Sequence, residues 1–145
     1  MSKLDDLAQK LGREVAERIL EIHLRESQEA VLTIVANRGV HHLPDHLVRG
    51  EIYYASEGSL DFSSVGAVKE QYEGIIRLLS AKLKSQRWEK IYLVPFGHNS
   101  LSMQIKLLVY RVTHLETIDI FYNGNGGYYD LEIKQRDLIV SAGDS

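Results

Sequence analysis

Cysteine is absent from this sequence. Neither a disulfide framework nor a thiolate metal site can be built without it, and the absence suits a reducing compartment. No apolar run approaches the roughly 18 residues of a membrane span, and the opening MSKLDDLAQK lacks the apolar core of a signal peptide. The expectation is a cytoplasmic protein without a membrane segment. Positive charge is not in excess: 17 Lys and Arg against 20 Asp and Glu leave a formal net charge of -3. Long nucleic acid needs a basic face and is disfavoured as a partner. A compact anion is not disfavoured, because a helix N-terminus and a few local cations suffice to hold one.

Catalytic signatures are also missing. There is no phosphate loop of the form G-x-x-x-x-G-K-[ST], and no G-x-G-x-x-G ahead of a helix. No G-x-S-x-G elbow presents a serine nucleophile, and no H-E-x-x-H presents a metal. The cluster HHLPDH puts His41, His42, Asp45 and His46 within one short stretch, and imidazole plus carboxylate can hold zinc. Pro44 at its centre opposes the helix that would bring His42 and His46 together, so a solvated loop is the expected state. His23 and His114 sit inside helical patterns and are expected on surfaces. No metal and no cofactor is expected.

What is present is an alternation of helices and strands. The chain has 145 residues, 44% hydrophobic and 26% charged, which fits one domain, residues 1–145, with its own core. From Ser2 to about Arg25, Leu4, Leu7, Leu11, Val15, Ile19 and Ile22 recur at helical spacing along one face. Val31–Val35 is a β-branched run that reads as a strand buried on both faces, ending on Asn37-Arg38-Gly39. The segment VHHLPDHLVRG reads as a loop. EIYYAS, KIYLV, TIDIFYN and YYDLEI read as further strands, the last two joined as a hairpin through GNGG. Between them lie two amphipathic helices. The first has Val65, Val68, Tyr72, Ile75, Ile76, Leu79 and Leu83 inward; the second has Leu101, Ile105, Leu108, Val109 and Val112 inward. This order implies right-handed crossovers. The expected fold is α/β, a Rossmann-like three-layer sandwich: a mainly parallel sheet of about five strands, helices on both faces and a C-terminal hairpin.

In an open parallel sheet, ligands bind beyond the carboxyl ends of the strands. The third strand ends there in Pro95-Phe96-Gly97-His98-Asn99-Ser100. Gly97 permits close backbone approach and the first amides of the next helix are free to donate. The plain alternative is a strand-to-helix turn with Asn99 or Ser100 as its cap. The other strand ends carry similar residues: Asn37-Arg38-Gly39, Ser56-Glu57-Gly58 and Tyr122-Asn123-Gly124-Asn125. If the strand order gathers them, they form one polar rim. The glycine-rich GNGG is read first as a hairpin turn, although Tyr122, Tyr128 and Tyr129 offer stacking faces of the kind that hold nucleobases.

The stretch EKIYLVPFGHNSLSMQIKLLVYRVTHLETIDIFYNGNGGYYDLEI, Glu89 to Ile133, resembles the core unit of the SAVED domain and its relative the CARF domain. Both are Rossmann-like sensors of cyclic oligonucleotides in bacterial antiphage defence. The shared pattern is a strand ending in a proline-containing loop, a helix of about four turns, a strand finishing in an aromatic, and a tyrosine-bearing hairpin. The resemblance implies a small nucleotide ligand, a cyclic oligonucleotide, contacted by Phe96, Gly97, His98 and Asn99 and near Tyr122 and Asn123. A SAVED domain contains two such halves and this chain has room for one. It would therefore dimerise to complete a symmetric pocket, or borrow its other half from a partner effector chain. With the rim residues, the expected binding set is Asn37, Arg38, Gly39, Phe96, Gly97, His98, Asn99, Ser100, Tyr122 and Asn123. Two rival expectations stand beside the sensor. One is a metal-independent ring phosphodiesterase with His98 as general acid or base, a role that suits a side chain titrating near neutrality. The other is an accessory subunit without a small ligand, docking through an apolar helix face such as Leu4-Leu7-Leu11-Val15.

Overall fold

The computed structural model describes residues 3–39 and 43–140, with side chains described except at 4–5 and 21–29. Four helices and five strands follow in the order α1 (Lys3–Glu29), β1 (Val31–Val35), β2 (Glu51–Tyr54), α2 (Val65–Lys84), β3 (Lys90–Val94), α3 (Asn99–Thr113), β4 (Ile118–Tyr122), β5 (Tyr128–Leu131) and α4 (Gln135–Leu138). The strands form one sheet in the order β2-β1-β3-β4-β5. The first four are parallel, and β5 returns antiparallel along β4 with Tyr122 opposite Tyr128. The Rossmann-like three-layer sandwich expected from the alternation is the fold observed.

The layers follow from strand order and handedness. From β1 the chain moves outward to β2; from β2 and then from β3 it moves the other way. Right-handed crossovers in opposite directions must run over opposite faces. The β2–α2–β3 and β3–α3–β4 crossovers therefore share a face. There Leu32, Ile34, Ile91 and Leu93 of the sheet meet Leu79 and Leu83 of α2 and Leu101, Ile105 and Val109 of α3. The β1–β2 crossover covers the other face, where Val35, Tyr92, Val94, Ile118 and Ile120 pack beneath Leu43 and Leu47. Both faces of β1 and β3 are thus buried, which is why each reads as an unbroken apolar run. Each large aliphatic side chain so buried contributes about 1.5–3 kcal/mol.

Of the segment read from sequence as a loop, residues 43–50 are described, and they form an irregular connection with specific contacts to the sheet. It contains a single 3-10 turn, Asp45–Leu47, with Leu47 buried. Buried Thr33 holds its far end, accepting from the Arg49 amide at 3.0 Å and donating to the Arg49 carbonyl at 2.6 Å. Gly50 follows at φ 69°, so close to β1 that a Cβ would lie 2.0 Å from the Val31 carbonyl oxygen. Only glycine fits there.

The helices depart from the sequence reading in particular places. Val65, expected inward, is exposed at the start of α2, where Ser64 caps the helix by accepting from the Ala67 amide. His114 does not lie inside α3: it ends the helix in the left-handed region at φ 59°. The short α4 lacks a periodic apolar stripe in the sequence. The largest departure is α1. It runs to Glu29, and every described side chain along it, apolar or charged, is exposed. No described helix is long and apolar enough to cross a membrane.

Candidate functional site

The four parallel strands finish on one edge, so the turns after β1, β2, β3 and β4 share it. Past β1 the pairing with β2 continues: Arg38 N donates to the Ser56 carbonyl at 2.8 Å, and Gly58 N donates to the Arg38 carbonyl at 3.0 Å. Ser56 Oγ donates to the Ala36 carbonyl at 2.6 Å. The next strand is tied in by the Ala36 amide, which donates to the Val94 carbonyl at 3.0 Å. The chain leaves β1 for one face and β3 for the other, so the switch point of the sheet lies between these two strand ends.

Asn37 and Gly97 meet at that point. Gly97 adopts φ 93°, and a Cβ on it would stand 2.8 Å from the Asn37 Cβ. Asn37 is only 9% exposed; its amide nitrogen donates to the Gly58 carbonyl at 2.9 Å. Its carbonyl oxygen is buried without a hydrogen-bond partner. An unsatisfied buried carbonyl costs free energy, and such atoms in native folds call for an explanation.

On the α2–α3 side of this point stands His98. It caps α3 itself, a position the sequence reading assigned to Asn99 or Ser100. Its Nδ1 accepts from the Ser100 amide at 3.2 Å and lies 2.8 Å from Ser100 Oγ. That hydroxyl is in turn 2.7 Å from Tyr72 OH. With Nδ1 accepting, the neutral ring carries its proton on Nε2. Phe62 lies against the imidazole, ring centres 4.9 Å apart. Phe62 is positioned by its neighbour: Gln71 on α2 grips both main-chain groups of Asp61, accepting from its amide and donating to its carbonyl. The Asp61 carboxyl is held below the usual aspartate range by the Ser63 hydroxyl and then the Ser63 amide. Sequence reasoning missed Phe62, Gln71 and Tyr72 as parts of this edge, because nothing in their local pattern points across the sheet. Beside Ser100 a groove of about 520 Å³ runs between α2 and α3, with Lys69 and Arg77 on its walls.

On the opposite side, the Arg38 guanidinium lies over the Tyr54 ring at 4.7 Å and beside the Glu57 carboxylate at 3.6 Å. Phe96 packs inward here against the second core, so its ring contributes to that wall of the sheet. Tyr122 ends β4, the strand beside β3, with Leu93 paired to Asp119. Tyr122 and Asn123 are engaged within their own hairpin: the Tyr122 hydroxyl accepts from the Gly126 amide, and Asn123 Oδ1 accepts from the amides of Asn125 and Gly127. The turn reading of GNGG is therefore the observed one, with the Tyr122 ring half-exposed above it.

The expected site residues thus divide. Asn37 and Gly97 touch at the junction of β1 and β3; His98, with Asn99 and Ser100 behind it, stands on the α2–α3 side of that contact, Arg38 and Phe96 on the opposite side, and Tyr122 and Asn123 at the neighbouring strand end. Among the described residues no group of three or more His, Asp or Glu converges as a metal site. His46 is exposed in its 3-10 turn, while His41, His42 and the side chain of His23 lie outside the described residues. The class defined by this fold and edge is a generic Rossmann-like α/β domain. No protein-family model, curated protein or solved structure matches the chain.

Proposed function

We propose that this chain is a cytoplasmic binding module that holds a nucleotide-type second messenger, a cyclic oligonucleotide, at the carboxyl edge of its sheet. Such a module would serve antiphage defence in the manner of the SAVED and CARF domains that Glu89–Ile133 resembles. One observation carries the reading: the Asn37–Gly97 contact at the switch point, flanked by the Arg38 guanidinium on one side and the His98 imidazole on the other. Arg38 supplies a forked donor for a phosphate. Gly97 and Asn99 offer main-chain amides at the start of α3, the Ser100 amide being taken by the His98 cap, and His98 Nε2 offers a donor whose orientation the Ser100 contact sets. The Tyr122 ring supplies a stacking face. The ligand spans two copies of the edge in a homodimer, or one copy and an effector chain.

A second reading on the same residues is ring opening without a metal. The chain of contacts from Tyr72 through Ser100 to His98 favours it, because it fixes an imidazole for proton transfer. A ribose 2′-hydroxyl, deprotonated, would attack the adjacent phosphorus; the 5′ oxygen would leave with a proton, giving a linear product with a 2′,3′-cyclic phosphate.

Calorimetric titration with a panel of cyclic di-, tri- and tetranucleotides tests both. At least one ring should release or absorb heat, and Arg38→Ala and His98→Asn should each abolish the signal with an unchanged far-UV spectrum. Asparagine is chosen at 98 because it preserves the helix cap. Absence of heat from the whole panel sinks the sensor. Chromatography after prolonged incubation distinguishes binding from cleavage, and an intact ring disposes of the second reading.

A further inference from the structure

The search of the remaining surface leads to α1. It is 27 residues long, about 40 Å at 1.5 Å per residue, and carries an apolar stripe that is bare at every position whose side chain is described. Leu7, Leu11, Val15 and Ile19 are 53%, 52%, 57% and 62% exposed. A helix draws most of its stability from packing such a stripe, not from propensity. Gly12, at the middle of the helix with nothing within 4 Å of its missing Cβ, lowers the propensity further. An α1 standing bare in water is thus an incomplete structure.

We infer that two copies of this chain associate through α1, paired antiparallel about a two-fold axis, with Leu7 facing Ile19 and Leu11 facing Val15 of the other copy. Two independent features of the helix select this partner and this direction. At 100° per residue, Lys3, Lys10, Glu14 and Glu17 fall on one side of the stripe and Ala8, Gly12 and Ala16 on the other, while Arg18 falls between Leu7 and Leu11 and must run its aliphatic stem along the seam to bring its charge to the edge. In an antiparallel two-fold pair, like borders meet. The charged border then sets Lys10 within one turn of Glu14 and Glu17 of the other copy, repeated by symmetry, and these four opposite-charge contacts outnumber the one like-charge contact, Glu14 with Glu14 across the axis. The small border meets itself, Ala8 near Ala16 and Gly12 near Gly12, so the axes can approach closely. Parallel pairing would instead lay each charged border on a small one and match Leu7 with Leu7, losing both features. The interface lies on α1 and does not depend on what, if anything, the sheet edge binds.

The absence of native cysteine permits a direct test. Sedimentation equilibrium of the full chain should show a concentration-dependent monomer–dimer equilibrium. Leu11→Glu should raise its dissociation constant at least about a hundredfold by leaving a charge in the seam. Leu11 is half-exposed and belongs to neither core, so the emission of buried Trp88 should stay unchanged in that variant. An oxidised mixture of Leu7→Cys and Ile19→Cys chains should cross-link heterotypically, while Leu7→Cys alone should not, its sulfurs lying about 18 Å apart along the helix. A strict monomer at every concentration, a dimer indifferent to Leu11→Glu, or self-linking of Leu7→Cys would each overturn the inference.

Discussion

Gly97 shows how much of the candidate site turns on a single residue. Its φ of 93° lies where an L side chain is strained, and its missing Cβ is the space that Asn37 occupies. Asn37 cannot move aside without losing its bond to the Gly58 carbonyl. Gly97→Ala should therefore destabilise the fold by about 2–4 kcal/mol, combining left-handed strain with overpacking. Gly124 has a similar φ of 85° but open space around it, so Gly124→Ala should cost only about 1–2 kcal/mol. Urea titration of both variants makes the comparison, and equal losses would mean that the Asn37 contact is not tight. Arg38 is different in kind. Its ion pair with Glu57 is solvent-exposed, and such pairs contribute at most about 1 kcal/mol. Removing it reports on binding with little confusion from folding.

Among elements, the connection from β2 to α2 decides the environment of His98, and its order rests on short-range hydrogen bonds. Asp61 N and O are held by Gln71, and the Asp61 carboxylate accepts from Ser63 N at 2.8 Å. The Ser63 hydroxyl and then the Ser63 amide favour the ionised carboxyl, so the folded-state pKa lies below the unfolded one. The contribution is present at neutral pH and is lost as the pH falls through the folded-state value. Carbon-detected NMR should place the Asp61 midpoint below the ordinary aspartate value, with Phe62 and His98 ring signals shifting over the same acidic interval. A midpoint at or above that value would remove the proposed order of this connection. The helices illustrate the reach of periodicity. In α2 and α3 the stripes Leu79–Leu83 and Leu101–Ile105–Val109 are buried as their spacing predicts. The stripe of α1 is as regular but exposed, because spacing tells which face is apolar and says nothing about what covers it.

At the scale of the whole molecule, the sheet couples its parts. Both faces of β1 and β3 are buried, so loss of either crossover would expose the core beneath it and weaken the strands that the other core shares. Trp88, the only tryptophan, is 5% exposed within the first core and reports on it without labelling. Denaturation followed by Trp88 fluorescence should coincide with loss of the Ile118 and Ile120 methyl NMR signals, which report on the second core. Separated midpoints would show that the two faces unfold independently and that the chain is not one cooperative domain.

Read alone, the sequence determined the things that local pattern controls: strand against helix, the buried runs of β1 and β3, the hairpin at GNGG, and the class of sheet. These follow from alternation and helical spacing over a few residues, and neighbours along the chain suffice to specify them. It also supplied Asn37, Arg38, Gly97 and His98 as candidates, because glycine and hydrogen-bonding residues at strand ends are visible as such. Only the tertiary structure decided that β1 and β3 are adjacent, that Asn37 fills the space of a Cβ on Gly97, that His98 caps its own helix, and that Phe62 and Tyr72 join it from elsewhere. Apart from the His98 cap, which spans two residues, those contacts join residues tens of positions apart, and strand order, which brings them together, is set by the packing of both cores and the handedness of the crossovers.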